Sequence, residues 1–281
     1  MNAVEWALRW LALAAIALLT GAVGCEVLVV RGTPAATLRA RARPAYLAIT
    51  RSALALFALA AGLEVVAGWL TGTIAARKVG LFVAQIILVA ALLPVLGHRP
   101  TLALGGCALL FLTRSLGSRS ASLSEWLLPV AADWLHAAAA AFWLGGVAYL
   151  LLALVPLALR HSLLGELGAA VARFSPLAVA AVTVIGLTGL MQSASTLGSA
   201  ADLLTTAYGQ ALLAKSAGFA ALIALGAFHQ FAIGPRLRLW RARAAQAEAA
   251  ARRFRLSLAV EIAVGLGVLA AAAAMAVLPA P

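Results

Sequence analysis

Charge is what this sequence has least of. Only 11% of its 281 residues are Asp, Glu, Lys or Arg, against about 25% in soluble domains. No polar stretch is long enough to form a separate soluble domain. Cysteine is scarce as well: Cys25 and Cys107 each sit inside an apolar run, which excludes a disulfide framework. Methionine occurs three times, at Met1, Met191 and Met275. The zinc-protease HExxH, the redox CxxC, the haem-attachment CxxCH, the P-loop and the GxSxG elbow are all missing, so no enzyme is expected. No internal repeat occurs.

What is present is hydrophobicity. The chain is 64% hydrophobic, with a mean hydropathy of +1.04. These values predict an all-α, polytopic transmembrane bundle with room for about eight helices of roughly 20 residues. Residues 1–281 read as one membrane domain. The first apolar run, Trp10 to Val30, is long enough to span and reads as a helix rather than a cleaved signal. Further spans are expected at about 46–70, 79–97, from 101, 133–159, 174–192, 210–233 and 256–278. The fourth contains Arg114 and spans only if that side chain snorkels to the interface. Pro176 is expected in the first turn of the sixth.

Positive charge dominates, 21 Lys+Arg against 9 Asp+Glu for a net +12. In a soluble protein that balance would point to nucleic acid. Here the basic residues fall in short loops between apolar runs, so they report topology and no nucleic-acid partner is expected. Alternating eight spans assigns fifteen of the 21 to one side and six to the other. The positive-inside rule then puts both termini outside the cytoplasm. Residues 236–255 hold seven arginines and read as a basic cytoplasmic loop, amphipathic on the membrane surface.

One stretch stands out. Asp133-Trp134-Leu135-His136 opens the fifth span, five alanines follow, and then Phe142-Trp143-Leu144-Gly145-Gly146. Asp133 and His136 share a helix face, with Trp143 two turns below. The alanines and glycines make a smooth stripe on which another helix can lie closely. Gly21 and Cys25 give the first helix a similar small-residue spacing. An acid and an imidazole within a membrane helix are costly and mark a functional site by default; the alternative is that both merely end the helix at the water boundary.

The remaining intramembrane polar residues fall at two depths. Glu64, Asp133, His136, Met191, Gln192, Lys215 and Met275 lie near the outer surface. Cys25, Glu26, His229, Gln230 and Glu261 lie near the inner one. On the seventh helix Lys215, Gly218, Leu222, Gly226 and His229 form one stripe, with Leu222 making its middle apolar. Lys215 and His229 are about 21 Å apart at 1.5 Å per residue. Imidazole with thioether or thiol suits copper. The candidate ligands are His136, Met191, Asp133, Glu64, His229 and Cys25, with Asp133 orienting His136. Trp143, Gly145, Gly146, Lys215 and Glu261 are candidate structural or pathway residues. Packing is the competing account of Met191, Met275 and both cysteines. A bis-histidine haem is disfavoured because His136 and His229 belong to opposite depths.

These residues also resemble a family. His136 with Trp143-Leu144-Gly145-Gly146, then Phe174-Ser175-Pro176, Thr188-Gly189, and Tyr208-Gly209 with Leu212-Leu213 and Lys215 are similar to the copper resistance D (CopD) family. The similar core covers about 133–235. Phe82-Val83-Ala84-Gln85 departs from the family's third helix, and His229 stands where the family often has asparagine. The resemblance implies an eight-helix protein of the bacterial inner membrane that handles copper, with a separate periplasmic copper-binding protein as partner. The expected function is copper transport across that membrane. The alternatives are a membrane-embedded copper chaperone or oxidase-assembly factor and, third, a haem-bearing electron carrier.

Overall fold

The computed structural model describes residues 3–31, 36–70, 72, 76–118, 127–199, 201–233 and 244–278. Among these there is no strand, as expected of a chain that must satisfy its own backbone polar groups in lipid. Eight helices carry the fold: α1 (Ala3–Val30), α2 (Ala36–Leu70), α3 (Ala76–Val95), α4 (Pro100–Leu116), α5 (Leu127–Arg160), α6 (Leu164–Thr196), α7 (Ala207–Ala232) and α8 (Ala244–Val277). A single turn, Asp202–Thr205, precedes α7.

Seven of these are long and apolar enough to cross a membrane, and α4, at 17 residues, is shorter. It still runs from one face of the bundle to the other. Just before α4, the Leu96 and Gly97 carbonyls accept from Tyr46 and Arg43. At its far end Arg114 lies 3.8 Å from Glu64, and the Leu116 carbonyl accepts from Arg77. Tyr46 and Glu64 belong to opposite ends of α2, so α4 traverses the same depth. Arg114 does sit in the last turn, where it can snorkel.

Three boundaries differ from the sequence reading. Helix α2 starts at Ala36, so Arg39, Arg41 and Arg43 lie on a helical extension rather than in a loop. Helix α6 starts at Leu164, which puts Pro176 in the helix interior and not in its first turn. Helix α8 starts at Ala244, so Arg252, Arg253 and Arg255 belong to it, and residues 236–243 of the basic segment lie outside the described residues. The cause is common to α2 and α8. Their alanine-rich basic stretches have strong helix propensity, and the spans continue past the apolar window, in α2 through Pro44 inside the helix. In α8 the extension is packed, with Ala247, Ala251 and Phe254 buried.

Helix α1 is the centre, with 72% of its apolar window buried. It packs chiefly on α2 and α5. Side chains at Gly21 and Gly145 would run into the facing backbone, at Gly145 and Ala17 respectively. The expected close helix contact is therefore α1 on α5. Without a hydrophobic driving force in lipid, such backbone approach supplies much of the attraction. Helix α6 packs chiefly on α5, and α7 chiefly on α8. Only 6% of the α7 window is buried, so α7 lines the edge of the bundle. A cavity opens between α5, α6, α7 and α8.

Candidate functional site

The bundle carries two polar stations. Contacts between helices assign the expected two depths. At one end Arg9 pairs with Glu64 at 3.1 Å and Trp6 donates to the Ala270 carbonyl. At the other, Arg39 pairs with Glu26 at 2.7 Å, and Glu166 accepts from the Leu38 amide.

One station is built around His136. Its Nδ1 lies 3.0 Å from the Thr188 hydroxyl oxygen. That hydroxyl donates its one proton to the Val184 carbonyl, so at the ring it can only accept. The Ile185 carbonyl is a further acceptor beside the same imidazole. With the hydrogen on Nδ1, the ring donates to this hydroxyl and Nε2 keeps its lone pair. Gly189, one residue on from Thr188, gives the ring room: a Cβ there would stand 3.4 Å from Cε1.

Asp133 turns elsewhere. Its carboxylate lies against the Ser115 and Ser118 hydroxyls of the α4 end. Lys215 of α7 is close enough to interact electrostatically with both Asp133 and His136. The orienting partner of His136 is thus Thr188, not Asp133. Its signal in the sequence was the Thr188-Gly189 pair, whose hydroxyl had no assigned role.

Other candidates are not brought to this station. Glu64 is held by Arg9 and Arg114, which neutralise it. Met191 is 38% exposed and has no described contact with His136. Cys25 is fully buried against α5, where its Sγ lies 3.2 Å from the place of a Cβ on Gly146. Met275 has no described contact with His136.

Below His136, Trp143 of α5 meets Phe219 of α7 edge-on, with ring centroids 6.2 Å apart and planes at 85°. Beneath that pair lies a cavity of about 60 Å³ between α5, α6, α7 and α8. That volume holds a few waters. Its polar lining is Ser175, His229, Gln230 and Glu261, and its apolar lining includes Trp143, Phe174 and Phe254. His229 Nε2 lies 2.7 Å from the Ser257 hydroxyl, and Nδ1 lies 3.2 Å from Glu261 Oε2. Ser175 and Gln230 bond one another across α6 and α7. Phe254 stands edge-on to the His229 ring at 5.1 Å.

Three wide π turns cluster at this depth: Cys25–Val30, Leu150–Leu154 and His229–Ile233. Such turns often accompany functional sites, since they turn side chains out of the regular helical register. Among the described residues, no three His, Cys, Asp or Glu side chains converge as a closed metal cage.

A bundle with seven described helices long and apolar enough to cross a membrane defines a multi-pass membrane protein. Residues 168–275 match the family described as Copper resistance protein D, so the resemblance read from the residues holds over that stretch. The match begins and ends later than the 133–235 core: it omits His136 and Trp143 and takes in Glu261 and most of α8. The chain is also similar to the copper transport protein CutJ of Bacillus subtilis (strain 168), 38% identical over 120 residues. That stretch is 43% of this chain and 22% of the relative, so the chain spans under a quarter of the relative's length. No solved structure matches the chain at a significant level.

Proposed function

We propose that this chain is a copper transport protein of the bacterial inner membrane, with both termini periplasmic. Copper enters at the His136 station and leaves through the His229–Glu261 cavity. One observation carries the reading. The α7 stripe from Lys215 to His229 has a polar station at each end, within the stretch that matches the copper family.

Each residue has a part. His136 offers the Nε2 lone pair, held outward because Thr188 fixes the other nitrogen. Asp133 supplies negative charge beside it, and Lys215 balances that charge while the station is empty. The Trp143–Phe219 pair closes the apolar middle, so passage requires the rings to part. Glu261 and His229 receive the ion below. Two strong ligands at each station make binding favourable enough to enter and weak enough to leave. No covalent bond is made or broken, and the role is not enzymatic. A separate periplasmic copper-binding protein delivers the ion at the outer face.

The test is copper uptake into proteoliposomes, with and without a pH gradient. Wild-type protein should carry copper inward and His136→Ala should not. Binding without uptake would instead favour the chaperone or assembly-factor reading. A haem absorption band in purified protein would favour the electron carrier, although His136 and His229 sit at opposite depths.

A further inference from the structure

We propose that the path takes its copper as Cu(II), bound in passage by nitrogen and oxygen alone, with Glu261 as the anchoring carboxylate of the inner cavity. The inference rests on the copper reading above and names the form of the cargo.

The first ground is the donor set. Side chains that reach the two stations offer imidazole, carboxylate, hydroxyl and amide: His136, Asp133 and Thr188 above, His229, Glu261 and Gln230 below. Neither station contains sulfur among the described residues. Cys25 and Cys107 are both fully buried in helix contacts, Cys25 against α5 and Cys107 beside Thr20 of α1. Met191 is 38% exposed and has no described contact with His136. Soft thiolate and thioether ligands select Cu(I), whereas mixed nitrogen and oxygen donors suit Cu(II).

The second ground is the state of Glu261. Its side chain is 2% exposed yet lines the cavity. Among the described residues Oε2 finds no hydrogen-bond donor in proper geometry, although His229 Nδ1 is 3.2 Å away. A buried carboxylate oxygen so placed is costly unless something charged arrives to complete it. The His229 ring is held in place from its other side by Ser257, so both groups are already set. A Cu(II) ion entering the cavity would find Glu261 and Nδ1 of His229 as strong ligands. Gln230, Ser175 or water would fill the remaining positions. The same argument explains why no closed three-ligand cage is found: a cage would store the ion rather than pass it on.

The experiment uses purified full-length protein in two formats. In the first, proteoliposomes are offered copper as a weak Cu(II) chelate or as Cu(I) kept reduced with ascorbate. In the second, the protein is loaded with Cu(II) and read by electron paramagnetic resonance and optical absorption. Wild type should import the Cu(II) form faster. It should also give two nitrogen/oxygen-type signals and no sulfur-to-copper charge-transfer band. Glu261→Gln should lose one signal and slow uptake; His229→Gln provides the same test should the first variant fail to fold. Uptake of Cu(I) alone, or a sulfur charge-transfer band in wild type, would overturn the inference and leave the copper reading standing. Retention of both signals and full uptake by both variants would overturn the inner anchor. If neither copper form binds or enters, the copper reading falls and takes this inference with it.

Discussion

Gly21 of α1 lies directly against Gly145 of α5, so close that a methyl group on either would overlap the opposing backbone. Gly146, next in α5, faces the Phe174 ring and the Cys25 sulfur. Gly145→Leu should therefore separate α1 from α5. Overpacking of this kind costs about 1–3 kcal/mol or more, and here rigid backbone rather than a movable side chain stands in the way. Melting temperature and monodispersity in detergent should both fall. Unchanged stability with lost copper uptake would mean that the glycines serve the pathway instead.

Thr188 holds Nδ1 of His136, and Asp133 lies against Ser115 and Ser118 instead. Thr188→Val keeps the volume and removes the acceptor. Copper affinity at the outer station should drop by about 10–100-fold, the usual effect of losing a group that orients a ligand histidine. Asp133→Asn should weaken copper less, because the carboxylate acts there only through its charge. Isothermal titration of each variant decides the order. A larger loss in Asp133→Asn would restore Asp133 as the orienting group.

The edge-on pair of Trp143 and Phe219 separates the two stations. Trp143→Ala should lose the ring contact, worth about 0.5–1.5 kcal/mol beyond its buried area, and open the middle of the path. Passive copper flux into proteoliposomes should rise. His136→Ala in the same background should bring the flux down again. If Trp143→Ala instead stops uptake while the protein stays folded, the indole is part of the path rather than its closure.

The expected orientation can be read with reporter fusions. Fusions after Leu278 and within 195–207 should report the periplasm, and fusions within 236–243 the cytoplasm. The motive is the fifteen-to-six division of basic residues together with the crossing of α4. A cytoplasmic signal after Leu278 would remove the eight-span topology.

Hydropathy alone predicts the helical class, because lipid leaves the backbone no other choice; of the eight expected spans, seven described helices are long and apolar enough to cross and α4 is shorter. The two depths were legible too. Counting residues along each span puts His136 near one surface and His229 near the other, and Arg9–Glu64 and Arg39–Glu26 bear that out. The close glycine contact was readable as a stripe, but not its partner. Helix ends were less legible, since the polar continuations of α2 and α8 lie outside any apolar window and α2 runs on through Pro44, where a break would be read.

The sequence by itself determined which residues are available and how deep each one lies, because rise per residue is fixed within a helix. Only the tertiary structure decided which of them meet. The packing of α6 on α5 brings Thr188 and Gly189 to His136. The packing of α7 on α8 sets His229 beside Glu261. Arg9 and Arg114 claim Glu64 before any metal can. A one-dimensional pattern gives each helix its faces, but the angle at which one face meets another is fixed by side-chain interlocking between segments distant in the chain.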